Sequence, residues 1–129
     1  MNYLLDTHAL IWFLEGNENQ LSEHIVKRLI TPENNVFSSI VSFWEMAIKI
    51  QINKLSLPNS LEEMMDKLEE AGLKLLPLNF EHITNLKSLP LHHRDPFDRL
   101  IISQAQVKNL TIVSKDRAFK SYPVKLLWE

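Results

Sequence analysis

Short apolar runs alternate along this chain with longer stretches of helical periodicity, and that alternation constrains the fold more than any other feature. Residues 3–5, 36–38, 74–78, 110–114 and 124–128 read as strands. Between them, residues 8–14 form a helix with Thr7 as its cap, and Ser22 opens a second that stops at Thr31-Pro32. The stretch 42–52 carries Trp44, Ile48 and Ile52 at helical spacing. Ser60 and Glu63 have the spacing of a capping box, and Gly72 stands where that helix needs a left-handed residue. Residues 80–89 form a short helix, Asp95-Pro96 opens one that runs to about Lys108, and 118–122 makes a helical turn. Strands that are apolar throughout need cover on both faces, so the expectation is an α/β fold: a three-layer sandwich with a central, mainly parallel sheet flanked by helices.

The chain's 129 residues suit a single domain, 1–129, with a core large enough to stand without staples. Hydrophobic residues at 45% against 23% charged exclude a disordered chain. There is no cysteine, which removes disulfides, thiolate metal sites and a cysteine nucleophile. A formal net charge of -2 argues against a protein that coats nucleic acid with general basicity, so a polyanion would have to meet a local patch. The amino-terminal apolar stretch lacks a basic leader and is broken by Asp6 and His8, and no apolar run approaches the roughly 20 residues of a membrane span. The expectation is a soluble cytoplasmic protein without membrane contact.

Ligands of parallel sheets gather at the carboxyl ends of the strands, and several acids stand there. Asp6 directly follows the first strand and Asp116 the fourth, while Asp98 lies in the first turn of the helix before that fourth strand. Glu45 sits in the apolar segment Ser42-Phe43-Trp44-Glu45-Met46-Ala47. Each has an ordinary structural alternative. Asp6 can be a turn or cap residue, Asp98 an acid in a helix's positive first turn, and Asp116 a cap for the turn at Ala118-Phe119. Glu45 can pair with Lys49, and Asp95 is better read as an N-cap than as a ligand. Taken together, four carboxylates converging on one sheet edge would repel one another unless a cation lay between them. Hard oxygen donors favour magnesium or manganese over zinc.

These residues form segments that resemble PIN domains, and among them the VapC-type toxins of bacterial toxin–antitoxin pairs. The segments are Leu4-Leu5-Asp6-Thr7-His8-Ala9, Phe37-Ser38 through Trp44-Glu45-Met46-Ala47-Ile48-Lys49, His93-Arg94-Asp95-Pro96-Phe97-Asp98-Arg99-Leu100 with Ala105, and Val113-Ser114-Lys115-Asp116 with Phe119. The resemblance covers nearly the whole chain and matches the family's four acids to Asp6, Glu45, Asp98 and Asp116. It departs at Asn53, where many relatives have glycine, and at Ser114, where threonine is commoner.

The resemblance implies metal-dependent cleavage of RNA, with Asp6, Asp98 and Asp116 holding Mg²⁺ or Mn²⁺. Glu45 would complete the shell or orient the attacking water, and Thr7 and Ser114 would support the acids through their hydroxyls. A carboxylate-held ion makes its water more acidic and acts as a Lewis acid on the phosphodiester, which is the chemistry such hydrolysis needs. In-line attack would leave a 5′-phosphate and a 3′-hydroxyl. An acidic site must still hold RNA, and Lys49, Arg94, Arg99, Lys115 and Arg117 are the phosphate-contact candidates; each is equally readable as a solvated charge, and Arg99 as a partner of Asp95. His92 and His93 read as loop surface rather than as general acids, and Trp12 and Trp44 as packing rather than base-stacking platforms.

The family also implies a homodimer and a cognate antitoxin laid in an apolar groove, for which helices 8–14 and 42–52 are candidates. Core packing is their simpler reading. Two other enzyme or signalling classes cluster acids in this way. A receiver-type phosphoacceptor would normally show adjacent acids after the first strand, where Thr7 follows Asp6, and a haloacid-type phosphatase a second aspartate at position 8, which is His8. A PIN-like interaction module without nuclease activity is the remaining alternative.

Overall fold

A computed structural model of the chain describes residues 1–128. The strands are β1 (Asn2–Leu5), β2 (Asn35–Ser39), β3 (Lys74–Leu76), β4 (Thr111–Val113) and β5 (Lys125–Leu127). They form one sheet in the order β3-β2-β1-β4-β5, and every pairing is parallel. The pleat sends alternate side chains to opposite faces. Tyr3, Leu5, Val36 and Val113 pack on one face with Leu10, Ile25, Met46, Met64 and Leu68. Leu4, Leu76 and Ile112 pack on the other with Ile101, Ile102, Phe119 and Tyr122. Both faces are covered, which is why the strands read as unbroken apolar runs.

The helices are α1 (Thr7–Glu15), α2 (Glu23–Ile30), α3 (Ile40–Gln51), α4 (Leu61–Glu70), α5 (Phe80–Leu86) and α6 (Pro96–Lys108), with a 3₁₀ helix at Arg117–Ser121. Several starts follow the sequence reading. Ser60 and Glu63 complete a capping box, and Asp95 caps α6 with Pro96 in its first turn. Asn53 adopts φ 59°, the left-handed conformation that asparagine tolerates better than most residues, so the departure from glycine preserves the turn.

Four local expectations are corrected. Asp6, not Thr7, caps α1: its Oδ1 accepts the Ala9 N–H at 2.8 Å, which frees the Thr7 hydroxyl for other work. Helix α3 begins at Ile40 rather than Ser42, because the Ser39 hydroxyl accepts the Val41 N–H at 3.0 Å. Its inward face is Val41, Ser42, Phe43, Glu45 and Met46. The stripe read as core faces outward instead, with Trp44 50% and Ile52 52% exposed. Strand β3 stops at Leu76, before Pro77, which has no N–H to give a ladder.

The strand order decides between fold families. Receiver domains carry β1 between strands 2 and 3. Here β1 lies between β2 and β4, so the receiver alternative is excluded. The chain winds outward from β1 through β2 to β3, then returns to the other side of β1 as β4, which makes the β1/β4 boundary the topological switch point. No helix among the described residues is long and apolar enough to cross a membrane.

Candidate metal centre

Asp6 leaves β1 at this switch point. Its N–H donates to Val113 O at 3.1 Å, while Ser114 follows β4 alongside it. The Ser114 hydroxyl donates to Asp6 Oδ2 at 2.5 Å and accepts the Asp116 N–H at 3.0 Å. One buried serine thus ties the first acid to the backbone of the last. Asp116 Oδ1 caps the 3₁₀ helix by accepting the Ala118 N–H at 2.9 Å, leaving Oδ2 directed elsewhere. The cap readings and the site readings are therefore compatible: one carboxylate oxygen holds the helix start, and the other remains for the site.

Glu45 arrives from α3 on the opposite side of β1. It is 2% exposed and fully partnered: Thr7 Oγ1 donates to Oε1 at 2.6 Å, and Lys49 Nζ bonds Oε2 at 2.6 Å. Ser42 Oγ lies 3.0 Å from the Thr7 hydroxyl, a neighbour that sequence reading missed. The Glu45 carboxylate raises the Lys49 amine above its usual range, chiefly through this hydrogen bond. Lys49 is thus paired as its sequence alternative held, though it also feels Asp95 and Asp98.

Asp98 occupies the first turn of α6. Burial, then the charges of Asp95, Glu45, Asp6 and Asp116, push its carboxyl up to about 8. Burial likewise raises Asp6, opposed by the Ser114 and Ala9 hydrogen bonds, with Asp116 adding a smaller upward push. The charges of Asp6, Glu45 and Asp116 thus all reach Asp98.

His93 is the residue the sequence reading misplaced. It is not loop surface: its side chain is 16% exposed, and Nε2 lies 3.0 Å from Asp98 Oδ2 and 3.3 Å from Asp116 Oδ2. One ligand-capable atom from each of these three residues falls within 4.8 Å of the others. The paired histidines before Asp95 were the available signal, but one faces the acids and the other packs against Tyr122.

The proposed phosphate contacts divide. Arg94 and Arg117 are exposed, and Lys115, also exposed, reaches Gln20 Oε1 at 3.3 Å. Arg99 turns inward instead, with Nη2 donating to the carbonyls of Leu89 at 3.3 Å and Leu86 at 3.5 Å. It is neither a partner of Asp95 nor a cation presented to substrate; it ties the α5–α6 connection to α6. A shallow cleft of about 310 Å³ lined by Asp6, His8, Trp12, Lys115 and Asp116 opens beside the acids. A larger concavity of about 760 Å³ lies beyond the end of α3, lined by residues such as Ala47, Ile50 and Leu57. It holds no cluster of acids.

The donor set fits a hard divalent cation. Asp98 and Asp116 come from separate elements yet bring ligand-capable oxygens within 4.8 Å, and a carboxylate oxygen that accepts one hydrogen bond keeps a second lone pair for an ion.

The PIN domain family model matches residues 3–125. The chain belongs to the PIN domain family. Among solved structures it is similar to VapBC2 from Rickettsia felis bound to a DNA fragment from their promoter, with 20% identity, coverage of 100% of each chain and a TM-score of 0.72. It is also similar to DNA-bound VapBC from Salmonella typhimurium (20% identity, 98% of this chain and 97% of that one, TM-score 0.67). A third is VapBC-5 from Mycobacterium tuberculosis, a member of the VapBC family of toxin-antitoxin systems (19% identity, 98% and 97%, TM-score 0.60). No curated protein matches the sequence.

Proposed function

We propose that this PIN domain is a metal-dependent endoribonuclease, the VapC-type toxin of a toxin–antitoxin pair. What supports the reading is that Asp98 and Asp116 bring carboxylate oxygens within 4.8 Å of one another, that Ser114 ties Asp6 to the backbone of Asp116, and that the charges of Asp6, Glu45 and Asp116 all raise Asp98. The similar VapBC structures support the toxin assignment.

Asp6, Asp98 and Asp116 would hold Mg²⁺ or Mn²⁺, which supplies Lewis-acid stabilisation of the phosphodiester and a more acidic water. The rest of the work falls to side chains. Ser114 holds Asp6 in place and links it to Asp116. Glu45, locked by Thr7 and Lys49, orients the attacking water from a fixed position. Exposed Arg94, Lys115 and Arg117 are the side chains that would meet RNA phosphates. In-line hydrolysis leaves a 5′-phosphate and a 3′-hydroxyl.

The partner reading rests on α3. Its outward side chains Trp44 and Ile52 are available to a cognate antitoxin or to the second subunit of a homodimer.

Asp6→Asn tests the mechanism. Asparagine caps a helix as well as aspartate does, so α1 and the fold survive while a charge at the site is lost. With structured RNA and Mg²⁺ or Mn²⁺, wild-type protein should cleave, chelation should stop it, and Asp6→Asn should be inactive with an unchanged circular-dichroism spectrum. Full cleavage by this variant would remove the mechanism.

A further inference from the structure

We propose that His93 is a positioning residue that gathers Asp98 and Asp116 into one cation-binding edge. This rests on the metal-dependent reading above and adds to it a residue outside the four acids.

The ring is fixed from several directions. The His93 N–H donates to Tyr122 Oη at 2.9 Å, and the Tyr122 hydroxyl donates to Pro90 O at 2.8 Å, anchoring the loop before α6. The ring meets Phe119 edge-on, with centroids 6.1 Å apart at 73°. Its Nδ1 accepts the Asp95 N–H at 3.1 Å.

That last bond decides the chemistry. An Nδ1 that accepts carries no proton, so the proton resides on Nε2. Nε2 then faces Asp98 and Asp116 as a donor and has no lone pair to offer an ion. A nitrogen ligand is the reading this excludes. Asp98 and Asp116 belong to different elements, and the Asp116 side chain is 46% exposed, so little but this donor holds its free oxygen toward Asp98. With the Nε2–H between them, both Oδ2 atoms converge, and each keeps a lone pair for a cation.

The test uses the full chain without RNA. His93→Leu keeps apolar bulk against Phe119 and removes the donor, while His93→Gln places an amide N–H near the position of Nε2. Titration calorimetry with Mn²⁺ should show binding weakened about tenfold or more in His93→Leu, the scale found for partners that orient metal ligands, and largely restored in His93→Gln. In cleavage assays the loss should be recovered by raising Mn²⁺, with KM for RNA little changed. Nitrogen NMR of the wild type should find the His93 proton on Nε2, a readout that holds even if a variant fails to fold. A proton on Nδ1, Mn²⁺ affinity in His93→Leu equal to wild type, or no restoration by His93→Gln overturns the role of His93 while leaving the ribonuclease reading intact. Wild-type protein that takes up no Mn²⁺ overturns both.

Discussion

Asp98 shows how a single side chain can be held against its own preference. Its carboxyl stands at about 8 rather than the ordinary 3.8, first because it is buried and then because four other acids surround it. The folded metal-free protein therefore binds this proton more tightly than the unfolded chain does between about pH 4 and 8. Stability should fall as pH rises through that window. Thermal midpoints in chelator should be higher at pH 5 than at pH 8, and Asp98→Asn should shrink the difference. A wild-type midpoint that rises steadily over the same range would contradict the crowding of acids. Thr7 is the complementary case. Removing its hydroxyl in Thr7→Val leaves Glu45 Oε1 without its 2.6 Å donor, and a buried acceptor so abandoned costs about 1–3 kcal/mol. Urea unfolding should register that loss, together with slower cleavage as Glu45 is freed to move.

At the scale of elements, caps explain both the successes and the errors of reading the sequence. Ser60 to Glu63 and Asp95-Pro96 are local signals satisfied within one turn, and both were legible. Ser60→Ala should cost about 1 kcal/mol by urea unfolding while leaving cleavage untouched, since α4 contributes no side chain to the acid cluster. Helix α3 was misjudged because Ser39 and Ser42 are equally good caps in sequence. In the packed helix Glu45 points inward and Trp44 outward. Trp44 then stacks edge-on against Phe97 of α6 at 5.1 Å, beside the acids rather than in the core. The spacing of Trp44, Ile48 and Ile52 shows that they share a face, but spacing cannot say which face meets the sheet.

At the scale of the whole molecule, the crowding of acids is, under the proposed metal-dependent reading, a repulsion that a bound ion would relieve. Whatever binds the folded state alone stabilises it by mass action. Adding Mg²⁺ or Mn²⁺ to chelated protein should raise the thermal midpoint, by an increment that grows with the logarithm of metal concentration above the dissociation constant. Asp98→Asn should lose most of that rise. Absence of any rise in the wild type would remove the ion from the site.

The amino-acid sequence by itself determined the alternation of elements, the parallel character of the sheet and the residue types that could hold a cation, because each depends on neighbours within a few positions. The order β3-β2-β1-β4-β5, which brings Asp6 beside Ser114 and excludes a receiver, came only from tertiary structure. So did the inward turn of Arg99 and the seat of His93 between Asp98 and Asp116. Those contacts join residues far apart along the chain. They form only once the two packed faces of the sheet have chosen which side of β1 each later strand must take.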